Sequence, residues 1–237
     1  MLKEALTKRQ NGFFQEETVL AKEYLMEKKE IPFIGVYDYT VVLTYLSLAV
    51  SLTGMFLAMN QMIKAAVVCL ALSGLLDMFD GKVARTKKDR TEEEKCFGIQ
   101  IDSLCDVVCF GVLPVIICRN IGLQSPIGSA ILIFYCLCGL IRLGYFNVKE
   151  QCRQKETTGN RKYYQGLPIT SVAVILPVTL TVGLVFPAYR AGILAAAMFG
   201  TGLLFITDFR FRKPANKELA MLVPVIAAVV LILLFRM

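Results

Sequence analysis

Apolar residues in this chain fall in long blocks separated by short charged connections; they neither alternate nor follow a single helical stripe. A helix needs about 20 apolar residues to cross the hydrocarbon core of a bilayer. Stretches of that kind run near Val41 to Asn60, Met62 to Met78, Ile99 to Cys118, Pro126 to Phe146, Leu167 to Pro187, Ala191 to Thr207 and Leu219 to Phe235. The pattern predicts an all-α integral membrane protein, a bundle of about seven transmembrane helices. Three parts are expected: an N-terminal segment over residues 1–37, a membrane domain over 38–215, and a C-terminal transmembrane helix within 216–237. The first part carries basic residues with no apolar core close behind them, which reads as an amphipathic cytoplasmic segment and not as a cleavable signal peptide.

Basic residues are distributed unevenly between the two sets of connections. If the N-terminus is cytoplasmic, residues 1–37, 82–97, 142–165 and 208–217 face the same side and hold 22 of the 26 Lys and Arg. Lys64, Arg119, Arg190 and Arg236 are the remainder. This bias sets the expected orientation, a multi-pass protein of the cell membrane with its N-terminus inside. It also accounts for the net charge of +7, so nucleic-acid binding is not needed to explain it.

Composition narrows the chemistry. Apolar residues make up 56% of the chain, above the roughly 45–50% of soluble domains. There is no histidine, which excludes His-based triads and His-ligated metals and leaves a carboxylate, Lys, Tyr or Cys as general base. The 8 cysteines show no paired zinc-ligand spacing, and most lie in apolar blocks as small filler.

Acidic residues stand where lipid makes them costly. The second block ends in Asp77-Met-Phe-Asp80-Gly81, and the third opens with Gly98-Ile-Gln-Ile-Asp102-Ser-Leu-Cys-Asp106. An Asp at the centre of a membrane helix costs roughly 2.5–3.5 kcal/mol on insertion scales. The i,i+3 spacing of Asp77 and Asp80 and the i,i+4 spacing of Asp102 and Asp106 put each pair on one helix face. The two blocks meet on the cytoplasmic side, so the four carboxylates converge at the membrane boundary. Hard oxygen ligands of this kind suit Mg²⁺, Mn²⁺ or Ca²⁺, and four of them have room for two divalent ions. Asp77-x-x-Asp80-Gly81 lacks the alternating ligands and closing Glu of an EF-hand.

These residues resemble the CDP-alcohol phosphotransferase family, whose pattern is D-x-x-D-G-x-x-A-R, a spacer, then G-x-x-x-D-x-x-x-D. Asp77, Asp80, Gly81, Ala84, Arg85, Gly98, Asp102 and Asp106 fill every fixed position. Twelve residues separate Arg85 from Gly98, a longer spacer than the family usually has, and the extra residues are expected to widen a cytoplasmic loop. Downstream, Phe110-Gly111-Val112, Arg142-Leu-Gly-Tyr-Phe-Asn147 and Gln165-Gly166-Leu167-Pro168 are similar to the serine-accepting branch, with Tyr145 where that branch has an arginine.

The resemblance implies transfer of a phosphatidyl group from CDP-diacylglycerol to L-serine, with release of CMP. It implies two Mg²⁺ or Mn²⁺ ions on Asp77, Asp80, Asp102 and Asp106, with Asp106 also taking the serine hydroxyl proton. Gly81, Ala84, Arg85, Thr44 and Ser47 would face the CDP group; Arg142, Asn147 and Gln165 would receive the serine. A homodimer is the family expectation. Two alternatives remain open: a phosphorylated acceptor such as glycerol phosphate or inositol phosphate, and, from another class, a cation transporter using its intramembrane carboxylates as a path.

Overall fold

The computed structural model describes residues 33–156, 163–212, 224, 227–229 and 231–235, with the backbone alone for 151–164 and 211–212. The expected amphipathic segment therefore lies almost wholly outside the described residues.

Among the described residues the complete α-helices follow in order: α1 Tyr39–Met59, α2 Ile63–Ala84, α3 Glu92–Asp106, α4 Leu113–Ile121, α5 Pro126–Glu156, α6 Val172–Val185 and α7 Arg190–Ile206. Tyr39–Met59, Glu92–Ile121, Pro126–Glu150 and Pro187–Ile206 are long and apolar enough to cross a membrane. Large apolar side chains such as Phe56, Leu104, Ile133, Leu137 and Phe199 point outward from the long helices, a surface suited to lipid. The chain is an α-helical membrane protein.

The expected seven spans map unevenly onto these helices. α2 is 22 residues long but carries Lys64, Asp77, Asp80 and Lys82, which set it apart from the four apolar spans. Ile169–Val185 is apolar but shorter. The segment expected at Leu219–Phe235 is helical at its described positions, yet much of it lies outside the described residues.

Small and hydroxylated residues let α1 and α2 come together. A Cβ on Gly54 would lie 2.8 Å from the Cβ of Cys69, so glycine is what permits this backbone approach. The Ser51 and Ser73 hydroxyls lie 2.7 Å apart, and the Ser47 and Ser73 hydroxyls each donate to the other residue's carbonyl. These bonds satisfy polar groups that neither lipid nor an apolar core would.

The spacer after Arg85 does not form a widened loop. Thr91 accepts from the Glu94 amide at 3.1 Å while the Glu94 carboxylate accepts from the Thr91 amide at 3.0 Å, a reciprocal cap that starts α3 at Glu92. The second half of the spacer, from Glu92 to Phe97, thus forms the start of α3, and only a short connection remains. Three successive glutamates, Glu92, Glu93 and Glu94, reinforce the start by facing the positive end of the helix dipole.

Lys87 ties this connection to its neighbours. Its ammonium donates to Asp38 at 2.8 Å and to Glu94 at 2.9 Å, joining the N-cap of α1 to the first turn of α3. Asp38 in turn accepts from the Thr40 amide and hydroxyl. Burial alone would raise the Asp38 carboxyl, but the bonds from Lys87 and Thr40 outweigh it and hold the group below its usual value. Hydrogen bonds to Asp38 and Glu94 raise Lys87. Because the folded Asp38 is depressed, its contribution is present above about pH 4 and is lost as pH falls through the folded value. Because the folded Lys87 is raised, its contribution is full below about pH 10 and is lost as pH rises through the folded value. The melting-temperature gap between the wild type and Lys87→Met is therefore expected to be widest near neutrality and to close at both extremes. A gap independent of pH would assign the Lys87 effect to packing.

Between α3 and α4 the rod passes through a π-helical turn, Val107–Val112, in which the Leu113 amide donates five residues back to Val108. Pro114 accounts for it, since proline has no N–H to offer and its ring presses on the carbonyl four residues before it, that of Phe110. The Phe110 carbonyl is taken instead by the Tyr135 hydroxyl at 2.5 Å, on a side chain buried in the core. Cys109, Phe110 and Gly111 are all buried in succession, which a straight α-helix with one buried stripe does not do.

Below this turn Leu113 and Ile117 join Leu70, Leu176, Leu194 and Met198 in the core. α5 packs on α7 through the ring pairs Phe134–Phe199 and Tyr135–Phe205. A two-stranded antiparallel ribbon, β1 Tyr163–Gln165 with β2 Arg210–Arg212, joins the segment after α5 to the segment after α7. Gly166 leaves β1 at φ 69°, with its amide donating to Phe209, so the turn needs a residue at ease in the left-handed region.

Candidate active site

The last turns of α2 bring Asp77 and Asp80 against Asp102 and Asp106 on α3. One carboxylate oxygen from each of Asp77, Asp102 and Asp106 lies within 4.8 Å of the other two. Ligand oxygens about 2.0–2.6 Å from a shared cation are separated by no more than about 4–5 Å, so this spacing fits one ion. Asp77 forms a close carboxylate pair with Asp106, and Asp80 does so with Asp102. Asp80 is 8% exposed and accepts from the Thr44 hydroxyl at 2.9 Å. The second observation bearing on fit is Asp102 Oδ1, which is buried and has no hydrogen-bond partner. A buried carboxylate oxygen left bare beside three other carboxylates is a ready ligand for a cation. The donor set is all oxygen, so this acidic cluster can hold a divalent metal of the hard class.

The remaining residues anticipated from sequence are placed as follows. Arg85 caps the C-terminal end of α2, and a Cβ on Gly81 would meet only its Nη1, at 3.7 Å. The guanidinium thus folds back over Gly81 toward Asp80. Ala84 is the last residue of α2. Ser47 lies a turn beyond Thr44 and donates its hydroxyl to the Ser73 carbonyl, so it can meet a ligand only as an acceptor.

Arg142 is buried on α5 well before the end of that helix, which continues to Glu156, and it donates to the Gln165 carbonyl at 2.7 Å. Arg142, Tyr145, Phe146, Lys149 and Gln165 line a small cavity. Asn147 belongs elsewhere, since its side chain bonds Ser103 at 2.7 Å and Gln100 at 3.3 Å on α3. Sequence reading missed Tyr145 and Lys149 as lining residues. Their spacing from Arg142 (i, i+3, i+4, i+7 with Phe146) is one helix face and was legible. The Lys149 ammonium sits 5.5 Å above the Tyr145 ring.

Comparison with known proteins bears on this arrangement. The sequence profile of the CDP-alcohol phosphatidyltransferase family matches residues 40–234. A CDP-diacylglycerol–serine O-phosphatidyltransferase of Saccharomyces cerevisiae is 39% identical over 128 residues, 52% of this chain and 45% of the yeast protein. One from Mycobacterium leprae is 31% identical over 176 residues, 72% of this chain and 57% of that protein. One from Methanocaldococcus jannaschii is 34% identical over 148 residues, 62% and 63% of the two chains. The chain thus spans about half the length of the curated relatives it matches. The profile runs from the first turn of α1 through both aspartate pairs and the ribbon, and on that extent the chain belongs to the CDP-alcohol phosphatidyltransferase family.

Proposed function

We propose that the chain transfers the phosphatidyl group of CDP-diacylglycerol to the hydroxyl of L-serine, giving phosphatidylserine and CMP. The observation that carries this reading is the set of carboxylates from Asp77, Asp102 and Asp106, mutually within 4.8 Å where α2 meets α3. The printed names of the relatives favour serine as the acceptor.

In this reading Asp77, Asp80 and Asp102 hold two divalent ions, Mg²⁺ or Mn²⁺, and Asp106 shares one of them. Bound ions supply neutralising charge to the diphosphate and its leaving CMP. Asp106 accepts the serine hydroxyl proton; with no histidine in the chain, a carboxylate is the natural base. Thr44 orients Asp80 through its hydroxyl, which fixes one carboxylate oxygen and leaves the other for metal. Gly81 and Ala84 offer small surfaces to the nucleotide, and Arg85 and Ser47 supply a cation and a hydroxyl beside it.

Arg142 and Gln165 line the acceptor cavity, where Arg142 pairs with the serine carboxylate. Asn147 steadies α3 from outside that cavity. The Lys and Arg bias of the connections supports a site and N-terminus on the cytoplasmic side of the cell membrane, and the reading includes a homodimer.

A second reading follows from Lys149. Two cations in one cavity also suit a phosphorylated acceptor. Purified protein given CDP-diacylglycerol, Mn²⁺ and either L-serine, glycerol 3-phosphate or inositol phosphate separates the two. CMP release with serine alone is expected. Release only with a phosphorylated alcohol would keep the reaction class and replace the acceptor.

A further inference from the structure

The π-helical turn Val107–Val112 begins at the residue after Asp106, and turns of this kind recur at functional sites. Helices on two sides touch it. From α1, the Ser47 hydroxyl lies 3.8 Å from the Cys109 thiol. From α5, the Tyr135 hydroxyl donates to the Phe110 carbonyl at 2.5 Å, and a Cβ on Gly111 would lie 3.5 Å from the Cys136 sulfur. Tyr135 and Phe110 are both wholly buried. Tyr135 is held from behind by α7: its ring packs on Phe205 at 5.5 Å, and a Cβ on Gly202 would lie 3.2 Å from the Tyr135 Cα. So close a backbone approach leaves α5 little play at this level, and the hydroxyl is delivered from a fixed point.

The bond falls where the helix has lost one of its own. Pro114 withholds the N–H that an α-helix would offer to the Phe110 carbonyl. Phe110 lies one turn beyond Asp106, so whatever fixes its carbonyl also fixes the turn that carries Asp106. We infer that Tyr135 is a positioning residue for Asp106. Through the Phe110 carbonyl it holds the π turn in place, and so keeps the Asp106 carboxylate within the 4.8 Å cluster formed with Asp77 and Asp102. The inference rests on the metal-dependent reading above and deepens it. Tyr135 acts on the backbone behind the site and not on substrate.

Mn²⁺ binding to the purified full chain, read by electron paramagnetic resonance, tests this without turnover. Tyr135→Phe removes one oxygen and is expected to weaken Mn²⁺ affinity about tenfold, the low end for residues that orient a metal ligand. The kcat of CMP release should fall by about the same factor, with the serine KM within about twofold of wild type. A second variant separates position from folding. Combining Tyr135→Phe with Pro114→Ala returns an N–H to the Phe110 carbonyl, so the thermal midpoint lost in the single variant should be regained. Mn²⁺ affinity and kcat should stay low, because the turn then closes as ordinary α-helix and carries Asp106 off its partners. Mn²⁺ affinity unchanged in Tyr135→Phe, or recovering together with the midpoint in the double variant, overturns the assignment and leaves the proposed reaction intact. Wild-type protein that binds no Mn²⁺ would overturn both.

Discussion

Asparagine at Asp106 is expected to lower serine-dependent CMP release by about a thousandfold while leaving the metal-free protein at least as stable as the wild type. The two halves of this expectation have different causes. A positioned base contributes about 10²–10⁴ in rate, and Asp106 is also one of the three carboxylates that share the 4.8 Å cluster. The amide keeps the shape of the side chain and removes both the base and a charged ligand. Without metal, however, Asp106 stands against Asp77, and neighbouring carboxylates repel one another. Neutralising one relieves that repulsion, the usual trade of stability for a strained site. Turnover and thermal midpoint measured on the same preparation read both effects. A variant retaining more than about a tenth of the activity would remove Asp106 from the base role.

The wild type is expected to gain thermal stability from Mn²⁺ or Mg²⁺ and to lose it on chelation. A ligand at a hundred times its dissociation constant stabilises the folded state by about 2.7 kcal/mol. For a domain of this size that corresponds to a shift of roughly 5–10 °C. The bare Asp102 oxygen makes Asp102→Asn the informative partner: its midpoint without metal should match or exceed the wild type, and its response to metal should largely vanish. A midpoint indifferent to divalent ions in the wild type would mean that the cluster is held by something other than metal.

How much of this was legible in the sequence depends on the kind of signal. Long apolar blocks bounded by charge gave the helices directly, because lipid tolerates little else. The aspartate pairs were legible for the same reason, as costly residues at helical spacing. The start of α3 was also written in the chain, as the cap Thr91-x-x-Glu94, inside the stretch expected to form a loop. Arg142 and Gln165 could be suspected one at a time. Their meeting depends on Gly166 and the ribbon, a pairing between residues far apart that no local pattern encodes. Asn147, five residues after Arg142, was grouped with it by motif, although helical geometry turns it toward α3. The bare Oδ1 of Asp102 lies beyond sequence reading altogether, since an unsatisfied atom is known only from its surroundings.

The π turn after Asp106 has a consequence for how the chain tolerates change. A helix that contains one such turn has in effect absorbed one extra residue, and each residue advances the helix by about 100°. The carboxylates above the turn and the apolar plug of Leu113 and Ile117 below it therefore keep the relative phase of a regular helix one residue shorter. Deleting one residue from Val107–Val112 could therefore restore a uniform helix with both halves near their present phase. Deleting one from the regular turns on either side would instead swing one half about 100° away from its partners, either turning Asp106 from Asp77 or driving the plug out of the core. In this rod the count of residues, more than the identity of any one of them, keeps the carboxylates and the core in register.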